Sequence, residues 1–286
     1  MAVTELWLIR HGESIANRAA SAAEAEGAEV IHIEMRDADV PLSEDGERQA
    51  SALGAIFADN GERLRLDSTR LWVSTYLRAR QTLELALDAA QLPLSPRRDE
   101  RLRDRELGIL DLLTRHGAQT RHPEEEERRD WLGKFSYRPP GGESWADLAL
   151  RLRSVLRDVE DDARPTRNIG NARGTGSGDE EEVDRTNDSG SLGVIVAHDS
   201  IVMLLLYVCL GWDEAELLEF ASTHSVKNAS VTRISRGAPD EPWQLDAFSD
   251  TTHLERAGAP VTHHSGERDD TRSEGSPEAA VIGGTA

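Results

Sequence analysis

The chain has 286 residues, 33 basic and 53 acidic, for a formal net charge of −20. With 38% hydrophobic residues and a mean hydropathy of −0.53 it can fill one or two domain cores, while a surface this acidic repels polyanions and excludes nucleic acid as a general partner. A single cysteine, Cys209, allows no intramolecular disulfide and fits a reducing, cytoplasmic setting; the opening Met-Ala-Val-Thr-Glu lacks a signal-peptide pattern, and the longest apolar run, residues 201–210, is too short to span a bilayer, so no membrane partner is expected.

Residues 6–9 form a short apolar run ending in a polar cluster, which predicts a buried strand. Ser43, with Glu47 close behind, opens a helical pattern (Ala50, Leu53, Ile56, Phe57) that stops near Asn60-Gly61. Residues 71–73 predict a second strand and residues 77–90 a helix. Pro139-Pro140-Gly141-Gly142 is a turn, and Ser144 with Asp147 has capping-box spacing for a long helix whose apolar face is Leu148, Leu152, Val155, Leu156 and Val159. Residues 193–197 predict a fully buried strand, 200–210 a buried helix, and 231–234 and 243–245 closing strands. This alternation implies an α/β fold, a three-layer sandwich with a mostly parallel central sheet and helices on both faces. Two stretches, residues 164–192 and 255–286, are polar and Gly/Ser-rich; their composition predicts a disordered insertion and a disordered acidic tail. A single domain is expected to span residues 1–254, with both stretches dispensable.

In parallel sheets, functional residues gather beyond the carboxyl ends of the strands. Three predicted ends carry Arg10-His11-Gly12-Glu13-Ser14, the run Ser74-Thr75-Tyr76-Leu77-Arg78-Ala79-Arg80-Gln81-Thr82, and His198-Asp199. Singly, each has an ordinary explanation: a solvated loop for Arg10 and His11, an exposed helix position for Arg78, a hydrogen-bonded core histidine for His198. Together they make a cationic pocket sized for a phosphate, with an imidazole as nucleophile.

The run from Arg10 to Ser14, with Asn17, resembles the signature of the histidine phosphatase superfamily in its phosphoglycerate-mutase-like branch. Pro41-Leu42-Ser43 through Gly46 to Gln49-Ala50, the Ser74 to Thr82 run, Leu102-Arg103-Asp104 ahead of Gly108, Pro140-Gly141-Gly142-Glu143-Ser144 and the strand before His198 resemble further motifs of that family in the same order. The resemblance covers roughly residues 3–250 and implies the corresponding fold. It implies that His11 attacks phosphorus to give a phosphohistidine, that Arg10, Arg78 and His198 stabilise the transferring phosphoryl group, and that Asn17 adds a hydrogen bond. Arg10 and Arg78 disfavour a cationic His11 and so keep it nucleophilic. No metal or other cofactor is expected, since neither His116 with His122 nor His263-His264 forms a ligand set.

The proton donor has three candidates. Asp104 occupies the family's acid position, where glutamate is usual; Glu106 lies two residues on; and Asp199 follows the second histidine, a His-Asp pair resembling the acid-phosphatase branch, although aspartate is also a natural helix cap there. The expected activity is hydrolysis of a small phosphate ester. A phosphoglycerate mutase is the alternative, disfavoured because Asp104-Arg105-Glu106-Leu107-Gly108 keeps only the Arg and Gly of the mutases' Glu-Arg-His-Tyr-Gly run. A non-catalytic phosphate-binding module is a third reading, set against the intact nucleophile, arginines and second histidine. Nothing in the sequence speaks to oligomeric state.

Overall fold

The structure is a computed structural model that describes residues 3–66, 69–161 and 191–263. Its elements, in chain order, are β1 (Val3–Arg10), α1 (Ile15–Glu26), α2 (Glu44–Asp59), α3 (Gly61–Leu64), β2 (Arg70–Ser74), α4 (Leu77–Ala89), β3 (Arg97–Asp99), α5 (Arg115–Arg121), α6 (Pro123–Ser136), α7 (Trp145–Asp161), β4 (Ser191–Ala197), α8 (Asp199–Leu210), α9 (Glu214–Thr223), β5 (Val231–Ser235), β6 (Gln244–Asp250) and α10 (Thr252–Ala257). The six strands form one sheet in the order β3-β2-β4-β1-β5-β6. Neighbours are parallel from β3 to β1, and β5 is antiparallel to both β1 and β6. The sheet is therefore mostly parallel, as the strand-helix alternation implies.

The alternation of side chains along each strand divides the core into two layers. On one face Leu6, Leu8, Trp72, Ile195 and Ile234 pack against α7, α8 and α9 through Leu148, Leu152, Leu204 and Leu217. On the other, Trp7, Ile9, Val73, Val194 and Val196 meet α2 and α4 through Leu53, Phe57, Leu83 and Ala86. Helix α8 is apolar on nearly every side because it is enclosed, with Ile201 to Leu206 all buried. Among the described residues no helix is long and apolar enough to cross a membrane.

Two expected boundaries move. Ser191 and Leu192, assigned by composition to the insertion, are buried in β4 and pair with Val3 and Glu5 of β1; the rest of residues 164–192 lies outside the described residues. The domain also continues past residue 254. Helix α10 runs to Ala257, and Gln49 Nε2 donates to Pro260 O at 2.9 Å and to Thr262 Oγ1 at 2.8 Å. The remaining tail, residues 264–286, is likewise outside the described residues. Composition misjudges residues 255–263 because they are held by hydrogen bonds and by the small Ala259 packed against Ala52, Ala229 and Leu254, not by a large apolar side chain.

Candidate active site

The carboxyl ends of β2, β4 and β1, adjacent in the sheet, bring the three predicted clusters together. The Arg10-His11-Gly12 turn leaves β1 with His11 N–H donating to Ala197 O at 2.9 Å, so the first histidine is held against the strand that delivers the second. A Cβ at Gly12 would lie 2.6 Å from Gly46 O. The turn thus packs directly on the start of α2, where only hydrogen fits. Ser43 closes the junction: its N–H donates to Glu13 O at 2.9 Å, its hydroxyl to Glu13 Oε1 at 2.7 Å, and it caps α2. The segment after β2 is tied to the same turn, because Gly12 N–H donates to Thr82 Oγ1 at 2.9 Å and Leu42 N–H to Gln81 Oε1 at 2.9 Å. The motif residues around His11 are thus mutual supports.

His11 is buried and its Nδ1 donates to Gly12 O at 2.6 Å. That bond assigns the tautomer and leaves the lone pair on Nε2, which accepts from Arg78 Nε at 3.3 Å. Burial first, then the charges of Arg78 and Arg10, hold its pKa well below the ordinary histidine value, so the ring is neutral at pH 7. The guanidinium of Arg78 also donates to Asp37 O at 2.7 Å, Asp37 Oδ1 at 2.8 Å, Asp37 Oδ2 at 3.2 Å and Asp104 Oδ2 at 3.0 Å. Arg10 is buried, donates to Val226 O, and lies 3.9 Å from Asp199 Oδ2.

His198 is wholly buried behind this layer, its ring edge-on to His11 with centroids 5.1 Å apart. Its Nε2 pairs with Ser74 Oγ at 2.9 Å and its Nδ1 faces Asp104 Oδ2 at 3.3 Å. Burial pushes its pKa down to about 3 against the pull of Asp104, so this close approach joins a carboxylate to a neutral imidazole.

The three acid candidates separate in space. Asp104 is at the centre, accepting from Arg78, from Arg105 N–H at 2.9 Å and from Ser200 Oγ at 3.2 Å. Burial opposes its ionisation, but the Arg78 guanidinium and the Arg105 N–H outweigh it and hold the carboxyl well below the usual range. Asp199 lines the cavity beside Arg10 as the first residue of α8, with His198 in the cap position, and burial raises its pKa. Glu106 is turned away, half-exposed, and accepts from Tyr76 Oη at 3.1 Å. The Asp104 loop is clamped by the Pro140 to Ser144 motif. Arg105 Nε donates to Glu143 O at 2.7 Å and Glu143 N–H to Glu106 O at 2.9 Å, while Gly108 has φ +57° and a Cβ there would lie 2.1 Å from Pro140 O.

Asn17 lines the same cavity. Its Oδ1 accepts from Ser14 N–H in the capping box of α1, so the group it can offer a phosphoryl oxygen is its amide N–H. Asp37 and Ser200 are site residues that sequence reasoning missed. Asp37 sits in Arg36-Asp37-Ala38-Asp39, where nothing distinguishes it from Asp39, and Ser200 reads as part of a buried helix.

His11, Asp104 and His198 offer three metal-type ligand atoms within 4.8 Å of one another. Arg78, however, donates to both His11 Nε2 and Asp104 Oδ2. The lone pairs a cation would need face a guanidinium, an arrangement suited to an anion. The cavity has a volume of about 460 Å³, and its lining includes the apolar Ile31, Leu107, Leu112, Trp145 and Met203 beside the polar Asp111, Lys134, Thr223 and His224.

Residues 6–169 match the family model of the histidine phosphatase superfamily (branch 1). "Probable phosphoglycerate mutase GpmB" of Yersinia enterocolitica is 32% identical over 257 residues, covering 88% of this chain and 95% of that protein. Fructose-2,6-bisphosphatase of Saccharomyces cerevisiae is 30% identical over 156 residues, 54% of this chain but only 29% of the yeast protein. The chain likewise spans about a quarter of a 6-phosphofructo-2-kinase/fructose-2,6-bisphosphatase from Caenorhabditis elegans. Among solved structures, mycobacterial glucosyl-3-phosphoglycerate phosphatase with inorganic phosphate superposes with a TM-score of 0.61 at 23% identity, covering 88% of this chain and 99% of that one. A likeness at that identity speaks for the fold, and the sequence match over more than half the chain speaks for descent: this protein belongs to the histidine phosphatase superfamily, branch 1.

Proposed function

We propose that the protein is a phosphomonoesterase that hydrolyses a small phosphate ester through a phosphohistidine at His11. The observation that carries this reading is the His11 Nδ1–H bond to Gly12 O, which leaves a neutral Nε2 lone pair beside Arg78. Nε2 attacks phosphorus as the ester oxygen departs, and Arg78, Arg10 and the Asn17 amide meet the charge spread over the phosphoryl oxygens. Asp104 is the proton donor in this scheme. An incoming phosphate dianion competes for Arg78, withdraws the cation that keeps the Asp104 carboxyl ionised, and so favours its protonation. Asp104 gives that proton to the leaving alcohol; its carboxylate then takes a proton from the water that attacks the phosphohistidine, releasing inorganic phosphate.

Hydrolysis is favoured over mutase chemistry by two features. The acid segment Asp104-Arg105-Glu106-Leu107-Gly108 departs from the mutase run, and the cavity's volume and the apolar side chains among its lining suit a leaving group with apolar surface, larger than a three-carbon acid. A cytoplasmic location and a small-molecule partner go with this reading. The test measures phosphate release from a panel of phosphate esters beside a phosphoglycerate mutase assay, for the parent protein and His11→Ala. Phosphate release that disappears in His11→Ala supports the reading; mutase turnover without net phosphate, or a His11→Ala protein as active as the parent, refutes it.

A further inference from the structure

The guanidinium of Arg78 has five N–H donors, and all five meet protein acceptors. They divide between its two edges. On the Nε–Nη2 edge, Nε points to His11 Nε2 at 3.3 Å and Nη2 to Asp104 Oδ2 at 3.0 Å. On the Nη1–Nη2 edge, Asp37 alone takes the other three, with its carbonyl at 2.7 Å and its two carboxylate oxygens at 2.8 and 3.2 Å. A phosphoryl group attacked by His11 Nε2 meets the first edge and leaves the second with Asp37.

We propose that Asp37 is the positioning residue for Arg78: its carboxylate and carbonyl grip the outer edge of the guanidinium and so keep the Nε–Nη2 edge turned toward the phosphorus. This inference rests on the phosphatase reading of the site. Asp37 is fixed for the task. It opens a single 3₁₀ turn, Asp37–Asp39, whose carbonyl also accepts Val40 N–H at 3.3 Å. The chain beyond it is pinned by buried Val40 and Leu42, and Leu42 N–H is held by Gln81 on α4, the helix that carries Arg78. Buttress and guanidinium are therefore referenced to the same helix. A planar fork held by a bidentate carboxylate has a defined plane and rotation, which a lone arginine on a flexible stem lacks. Orientation of a charge-stabilising group matters most where charge develops, so the effect belongs in kcat more than in KM.

The experiment is a double-mutant cycle of Asp37→Ala and Arg78→Ala, read with nitrophenyl phosphate turnover and, independently of turnover, with calorimetric binding of orthovanadate. Asp37→Ala is expected to lower kcat by about tenfold or more, the size of a mispositioned charge-assisted contact, with KM within about threefold. Vanadate binding should weaken by a similar factor. Asp37→Asn, which keeps one side-chain acceptor, should fall between. In the Arg78→Ala background, Asp37→Ala should change neither readout by more than about twofold. Tighter phosphate inhibition and a lower KM with unchanged kcat in Asp37→Ala would mean that the carboxylate competes with substrate, and would overturn the proposal. An equal loss in both backgrounds would show a loop-packing role and overturn it too. A parent protein that hydrolyses no ester refutes the phosphatase reading alone, since the vanadate cycle still reports the Asp37–Arg78 coupling.

Discussion

Gln49 and Thr262 join the start and the end of the described residues beneath His11. Gln49 Nε2 donates to Thr262 Oγ1 at 2.8 Å while its Oε1 accepts Glu13 N–H at 2.8 Å. Asn228 N–H donates to Thr262 O at 3.0 Å, and Asn228 Nδ2 to His11 O at 3.2 Å. Residues 260–262 are thus part of the scaffold of the turn that carries His11.

Ending the chain after residue 254 therefore removes the acceptors of Gln49 and Asn228 and half of α10. At roughly 1 kcal/mol per hydrogen bond, a loss of about 2–3 kcal/mol is expected. For a domain of this size that lowers the melting temperature by about 5–10 °C. Activity should fall with it, because Glu13 and His11 lose their backing. A chain ending after residue 263 should behave as the full chain does. Thermal unfolding of the two truncations makes the comparison.

Thr82 Oγ1 is the acceptor for Gly12 N–H. Thr82→Val keeps the shape but strands a buried donor, at a cost of about 1–3 kcal/mol. Thr82→Ser should keep both stability and turnover. Equal melting temperatures for the two variants would contradict the assigned role.

Loss of the true proton donor should slow an alkyl phosphate far more than nitrophenyl phosphate, whose phenolate leaves unaided. Asp104→Asn is expected to show this split at about a hundredfold to ten-thousandfold. Glu106→Gln, whose carboxylate is engaged with Tyr76 Oη, should show none. If Asp199→Asn shows the split and Asp104→Asn does not, the donor is Asp199, the carboxyl whose pKa burial raises.

Burial lowers the pKa of His11, His198 and His253 in the folded state, His198 to about 3. In the unfolded chain each binds a proton near pH 6.5, so the unfolded state takes up more protons as pH falls. Stability from these groups is complete above about pH 6.5 and is lost below it, at up to roughly 1.4 kcal/mol per pH unit for each group inside its window. Asp37 and Asp199, with raised pKa values, act in the opposite sense at lower pH. Denaturant unfolding at pH 7.5, 6 and 5 should show falling stability. His198→Asn, which cannot titrate, should flatten that slope.

Much of the fold is legible in the sequence because large side chains mark its period. The run 193–197 is apolar on both faces because both faces of β4 are covered, and the α7 stripe stands out because the other side of that helix is charged. Helix α1 is not legible in this way. It buries only Ala20 and Ala23, and what defines it is the Ser14–Asn17 capping box. In the site, His11, Arg10, Arg78 and His198 stand out because polar residues at the ends of apolar strands call for a reason. Asp37 does not, since its partner Arg78 is 41 residues away and only the folded chain brings them together. The order of the acids was not legible either, because Asp104, Glu106 and Asp199 differ in what surrounds them and not in type.

The 162–190 segment joins α7 to β4, and the seven residues of β4 separate its re-entry at Ser191 from His198. At about 3.3 Å per residue that is roughly 20 Å of strand, with Ser191 at the amino rim of the sheet and His198 at the carboxyl rim. A change of chain length at this point is therefore expected to leave the register of β4 with β1 and the placement of His11 and His198 as they are. The rim at Ser191 thereby lies a full strand's length from His198, while the other is bound together through Gly12 with Thr82 and through Gln49 with Thr262.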